Sequence, residues 1–272
     1  MRAVRQAALA DNFCGCEREP FTGTIVIIPL DSVEYDDKLH AYLDDSSTPA
    51  EGGLVCSAGY LFEASKAREF RKQWEPYLKS KKIEFFHAKE TQLRSDSEEM
   101  FLKLAELIKS TALRGFVNFL TPAALQSLDL SIRGYVGSGF SVSTLGCMHM
   151  MAEAAKERGK PIVYLVENSQ EFGAELRTFF SQIKSDARQV ENYAMAFADT
   201  AEKRDVIQLQ AADLFAWSFT RSHYQQAWST SVRNLVQDKM LRHTMGSFDP
   251  TMMSMIHSFY GMRSTKSWKR KR

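Results

Sequence analysis

The sequence predicts an α/β fold in which a mixed central sheet carries helices on both faces. Three observations predict it. Short β-branched or apolar runs alternate with segments whose apolar residues recur at helical spacing. The first clear pair of strand-like runs is joined by turn residues, which gives the sheet an antiparallel start. One later run, Pro161-Ile-Val-Tyr-Leu-Val166, is continuously apolar, as a central strand buried on both faces must be.

The elements follow in order. Residues 1–22 are mixed in character and read as an irregular arm. Thr24-Ile-Val-Ile-Ile-Pro29 is a short strand candidate halted by its proline. Leu39 to Leu43 reads as a strand that ends in the turn residues Asp44 to Pro49, and Leu54 to Phe62 reads as its hairpin partner. Ala67, Phe70, Trp74 and Leu78 mark a helix that Pro76 is expected to bend or end. Lys82 to Phe86 is a third strand candidate, delivering His87-Ala-Lys-Glu90 at its end. Ser95-x-x-Glu98 is a capping box before a helix carrying Met100, Phe101, Leu104, Leu107 and Ile108 on one face.

Gly115 to Leu120 is the next strand. The glycine- and serine-rich stretch Ser131 to Ser143 is expected to be a mobile loop. A helix from about Thr144 to Arg158 precedes the strand ending at Val166, with Glu167-Asn168 just beyond it. Phe172 to Ile183 is amphipathic, Val190 to Phe197 reads as a strand, and Val206 to Arg221 is a helix apolar nearly all round. Two further helices, Val232–His243 and Pro250–Phe259, complete the chain. The organisation is therefore an arm at 1–22, an α/β domain at 23–230 and a helical extension with a basic tail at 231–272. No internal repeat and no clear linker divides it.

Composition narrows the function. Of 272 residues, 44% are hydrophobic and 25% charged, as in an ordinary globular protein with a core. No run approaches the roughly 18 consecutive apolar residues that a membrane span needs. Residues 1–12 lack the apolar stretch of a secretory signal. The net charge of +2 hides an asymmetry: residues 266–272 hold five basic side chains and no acid, so the rest of the chain is slightly acidic. Four cysteines are too few for a disulfide framework. Cys14-Gly-Cys16 has no second ligand pair and is read as reduced thiols rather than a zinc site. These features favour the cytoplasm.

Carboxylates stand where a solvated face is not their natural explanation. Asp44 and Asp45 follow an apolar strand, and so does Glu167. Asp213 lies in Leu209-Gln-Ala-Ala-Asp-Leu-Phe-Ala-Trp217, a helix apolar on almost every side. A carboxylate buried there is costly unless it is paired or bound to a cation. Two strand-end acids and one helix acid sharing Mg²⁺ or Mn²⁺ would make an all-oxygen site for a hard cation. Simpler explanations stay open at each position. Asp44 to Ser47 fit a plain turn, Glu167-Asn168 an ordinary loop start, and Asp213 an ion pair with Arg204 or Arg221. His87 suits a general base or substrate contact, and equally a structural histidine. The other five histidines have no metal-ligand spacing. Phosphate-binding glycine loops, dinucleotide fingerprints and a Gly-x-Ser-x-Gly elbow are absent.

Three segments together bear a resemblance. Tyr42-Leu-Asp-Asp-Ser-Ser47 resembles the "hydrophobic-D-E-S-G" opening of a large, mostly uncharacterised bacterial family, domain of unknown function 3800. Phe86-His-Ala-Lys-Glu90 is similar to its "hydrophobic-H-A-x-E" element, and Leu209-Gln-Ala-Ala-Asp-Leu214 to its "L-Q-x-A-D-hydrophobic" helix. Order and spacing agree over roughly residues 38–225. The resemblance implies an RNase H-like fold and a metal-dependent nuclease, with Asp44 as the first-strand acid and Asp213 as the helix acid. Asp45 stands where the family usually has Glu, Ser47 where it has Gly, and Glu167 where Asp is more usual.

The expectation is a Mg²⁺- or Mn²⁺-dependent hydrolase of DNA or RNA phosphodiesters. Asp44, Glu167 and Asp213 would hold metal, Asp45 or Glu90 would add a fourth carboxylate, and His87 would handle a proton or touch phosphate. Lys89 and the basic tail are candidate phosphate contacts. The rival reading is a non-catalytic module of the same fold that binds nucleic acid or a partner protein.

Overall fold

The computed structural model describes residues 33–47, 53–121, 123–124, 138–169, 172–224, 233, 235 and 243–247. The irregular arm, the run at 24–29, Cys14 and Cys16, the helix at 250–259 and the basic tail lie outside the described residues.

Six strands form one sheet in the order β5-β4-β1-β2-β3-β6. They are β1 (Leu39–Ser47), β2 (Val55–Glu63), β3 (Arg114–Leu120), β4 (Ile162–Glu167), β5 (Met195–Ala201) and β6 (Thr244–Ser247). The β1–β2 and β2–β3 pairs are antiparallel, while β1–β4, β4–β5 and β3–β6 are parallel. The sheet is therefore mixed, as expected of the α/β class, with its antiparallel part first in sequence.

The helices cover both faces. α1 (Ala64–Ser80), α3 (Ser97–Thr111) and α7 (Leu209–His223) pack on one side, over Tyr42, Tyr60, Phe62 and Leu165. The other side is covered by α4 (Gly139–Lys156) and α5 (Gly173–Lys184), over Leu39, Leu43, Phe116 and Val166. Two short helices, α2 (Ala88–Thr91) and α6 (Ala187–Asn192), also lie among the described residues. Strand alternation explains this division of the core, since successive side chains point to opposite faces. Every residue of β4 is buried, which fits its continuous apolar run. At Gly59, opposite Leu43, β2 approaches β1 so closely that a Cβ would run into the Tyr42 carbonyl oxygen.

Several local expectations are corrected. Asp44 to Ser47 extend β1 instead of forming a turn, because β2 continues to pair with them as far as Ser47↔Val55. Pro76 does not end α1, which runs on to Ser80 with the proline inside it. Lys82 to Phe86 form no strand. Ile83 N–H donates to Leu78 carbonyl, and Phe86 N–H donates to the Gln210 side chain, so these backbone groups are satisfied without a ladder partner. α3 starts at Ser97 with Asp96 as its cap residue, which places Ser95 outside the expected capping box. α4 begins at Gly139, where Ser138 caps it, so residues 139–143 are helical and not loop. The loop at 131–137 lies outside the described residues. Val190 to Asn192 belong to α6, and β5 starts only at Met195. The C-terminal extension also contributes β6 to the sheet, where a purely helical appendage was expected. Of the helix expected at 232–243, Arg233, Leu235 and His243 are described; the first two are helical and His243 is not.

Candidate functional site

Asp44, Glu167 and Asp213 meet on the face of the sheet covered by α7. The parallel β1–β4 pairing ends at Leu43 and Val166, so Asp44 and Glu167 follow side by side where the two strands part, Glu167 as the last residue of β4 and Asp44 within β1. Both share the side of the sheet occupied by Tyr42 and Leu165, the side on which α7 packs. α7 then presents Asp213 from above. All three acids are buried.

A lysine stands between them. Lys203, in the turn between β5 and α7, places its Nζ 3.0 Å from Asp44 Oδ2, 3.1 Å from Asp213 Oδ1 and 3.9 Å from Glu167 Oε1. The three carboxylate oxygens thus lie around one cationic point, and no two can be further apart than twice the longest of those distances. Lys203 donates hydrogen bonds to Asp44 and Asp213. Asp44 Oδ1 also accepts from the Asp45 backbone N–H, and Asp213 Oδ2 from Ala88 N–H at 2.6 Å. Glu167 Oε2 is buried with no hydrogen-bond partner among the described residues.

The titration of these groups follows from their burial. Desolvation pushes the Asp44 carboxyl up to about 6, with Lys203 opposing the rise and Asp213 adding to it. Desolvation and then the Asp44 charge push Glu167 up to about 9, and Lys203 only partly offsets them. Burial acts against the charge of Lys203, but Asp44, Asp213 and Glu167 outweigh it and hold the ammonium above its ordinary range.

The remaining expected residues divide. His87 reaches the cluster edge: its Nε2 is 3.6 Å from Asp213 Oδ1 and its Nδ1 is 3.3 Å from Glu90 Oε1. Its side chain is 32% exposed and that of Glu90 75%, so the two form the rim of the site, not its floor. Asp45 does not join the cluster as the proposed fourth carboxylate, because strand alternation sends it to the opposite face from Asp44. Glu90 meets the cluster only through His87. The partners suggested for Asp213 are engaged elsewhere, Arg204 with Glu84 and Arg221 with Gln92.

Two residues escaped sequence reasoning. Lys203 lies in Glu202-Lys-Arg-Asp205, which reads as a solvated charge run; nothing local marks it. Gln210 had a signal, an amide one helical turn before Asp213 in an apolar helix. Its Oε1 accepts from Trp74 Nε1 at 2.8 Å and from Phe86 N–H at 3.1 Å, and its Nε2 donates to the Lys203 carbonyl at 3.0 Å. One amide therefore holds α1, the segment leading to His87, and the Lys203 turn against α7. Asn168 braces the other side, donating to Glu202 and accepting from Arg177.

Among the described residues no group of three or more His, Cys, Asp or Glu is set to hold a metal ion. The physical reason is Lys203, whose ammonium spaces the oxygens at hydrogen-bond distance, whereas Mg²⁺ ligands lie at about 2.1 Å. The donor chemistry nonetheless fits a hard cation, since the acids of the cluster offer carboxyl oxygens and one of them, Glu167 Oε2, has no partner among the described residues. Cys56 and Cys147 are free and buried, and burial pushes both thiols up, which makes them inert. No helix among the described residues is long and apolar enough to cross a membrane. No protein-family model matches the chain, and no curated protein matches it.

Proposed function

We propose that this chain is a metal-dependent phosphodiester hydrolase acting on nucleic acid, with Asp44, Glu167 and Asp213 as its acidic centre. The observation that carries the reading is the convergence of three buried carboxylates from β1, β4 and α7 on a single cationic point. Burying these acids together is costly unless a cation or a proton compensates their charge. Glu167 closes its parallel strand with Asp44 beside it, and the carboxyl ends of parallel strands are where open α/β sheets place ligands. The mixed sheet and the helix-borne acid support the RNase H-like reading of the fold, and the free buried thiols support a reducing cytoplasmic setting.

Bound Mg²⁺ or Mn²⁺ would supply an activated water and stabilise the leaving oxygen of a phosphodiester. Asp44, Glu167 and Asp213 would hold it. His87, exposed at the rim and placed between Asp213 and Glu90, is positioned to take or return a proton. Lys89, exposed beside it, suits a phosphate contact for DNA or RNA.

The Lys203 ion pairs favour one second reading, a non-catalytic module in which the ammonium is the permanent cation and the surface binds nucleic acid or a partner protein. A cleavage assay separates the two. Turnover of single- or double-stranded substrate that needs Mn²⁺ and vanishes in Asp44→Asn supports hydrolysis. Turnover unchanged in Asp213→Asn, or none with any substrate, assigns the module reading.

A further inference from the structure

Lys203 cannot satisfy the cluster it occupies. One ammonium faces three carboxylates. Two of them accept its hydrogen bonds, while Glu167 Oε1 stays at 3.9 Å and Glu167 Oε2 has no partner among the described residues. Glu167 itself is 9% exposed, so water does not readily make up the deficit. One ammonium therefore leaves the buried site short of hydrogen-bond donors.

The lysine is also placed to leave. It belongs to a turn, not to a strand or helix, and its flexible four-carbon side chain is 12% exposed. Its main chain is anchored independently of its ammonium. Gln210 holds the Lys203 carbonyl and Asn168 holds the neighbouring Glu202 side chain. The head group can therefore move without unravelling the turn.

We propose that Lys203 is a resident counter-ion that a divalent cation must displace to enter the cluster of Asp44, Glu167 and Asp213, so that this one side chain sets the metal affinity of the site. The inference rests on the metal-dependent reading above. It makes Lys203 a residue that opposes metal binding, in contrast to the acids that promote it. The displaced ammonium surrenders two hydrogen bonds and regains water, while the ion that replaces it supplies twice the charge to the same oxygens.

The test is a calorimetric titration of the full chain with Mn²⁺ alone. Lys203→Gln is expected to bind Mn²⁺ at least roughly tenfold more tightly than the parent, the size of change that groups around a metal site commonly cause. Lys203→Arg, which keeps the charge, is expected to stay close to the parent, and adding Asp44→Asn to Lys203→Gln is expected to remove the binding. Equal affinity in parent and Lys203→Gln overturns the displacement and leaves the metal reading standing. No binding in either, at millimolar Mn²⁺, overturns both. If Lys203→Gln does not fold, the parent alone still decides the matter. Acetic anhydride labelling read by mass spectrometry should modify Lys203 slowly without metal and several-fold faster with saturating Mn²⁺. An unchanged rate overturns the proposal.

Discussion

Lys203 Nζ lies 3.0 Å from Asp44 Oδ2, joining two residues 159 positions apart in the chain. The pair forms the centre of the acidic cluster, because the same ammonium also reaches Asp213 and Glu167. Stability and site chemistry are therefore coupled through one side chain.

Without metal, Lys203→Ala leaves three buried acids facing one another. Removing one partner of a buried ionic group costs about 3–5 kcal/mol. Urea denaturation in the presence of chelator should show a loss of that order. A change below about 1 kcal/mol, the range of exposed pairs, would mean that the ammonium contributes no more than a surface ion pair does.

Gln210→Leu keeps the volume of the side chain and removes its polar head. Trp74 Nε1 and Phe86 N–H would then lose their acceptor in a buried setting. The expected loss is about 2–3 kcal/mol, from stranded donors. Because Phe86 precedes His87, amide hydrogen exchange at residues 86–88 should accelerate more than exchange in β4.

Gly59→Ala should be among the most damaging small changes in the sheet. The added methyl meets the Tyr42 carbonyl, a main-chain atom that cannot rotate away. Overpacking of this kind costs about 1–3 kcal/mol or more. Thermal unfolding of the variant against Ala58→Gly, at the neighbouring position, checks that the cause is steric and not a general weakening of β2.

His40 predicts an acid-sensitive component of stability. It is buried between Tyr35 carbonyl and Tyr42 hydroxyl, and desolvation lowers its pKa, with the Tyr35 hydrogen bond opposing. The folded state thus keeps the ring neutral at a pH where the unfolded chain protonates it. This contribution is present above the ordinary histidine value of about 6.5 and is lost as pH falls toward the depressed folded value. Denaturant midpoints at pH 7.5 and 5.5 should fall more steeply in the parent than in His40→Gln. Parallel slopes would remove His40 from the account.

Much of the architecture was legible in the sequence. The amphipathic periods of α1, α3 and α5 and the apolar run of β4 report directly which faces are buried, since burial is what the pattern encodes. Errors gathered where tertiary contacts overrule local preference. Asp44 to Ser47 carry turn residues yet extend β1, because β2 offers a pairing partner throughout. Lys82 to Phe86 look like a strand yet form none, because Gln210 and α1 satisfy backbone groups that a ladder would otherwise have taken.

The same division holds for the site. Asp44, Glu167 and Asp213 could be singled out from the chain alone, because a carboxylate at the end of an apolar strand or inside an apolar helix violates the usual rule of burial. Their meeting could not. It depends on the β1–β4 register and on α7 packing over one face, both set by contacts far apart in sequence. The same geometry excludes Asp45, whose side chain leaves on the opposite face, and admits Lys203, whose charged neighbours give it the look of surface. A residue's type states what it must be paid in charge or hydrogen bonds once buried; only the folded chain decides which partner supplies it.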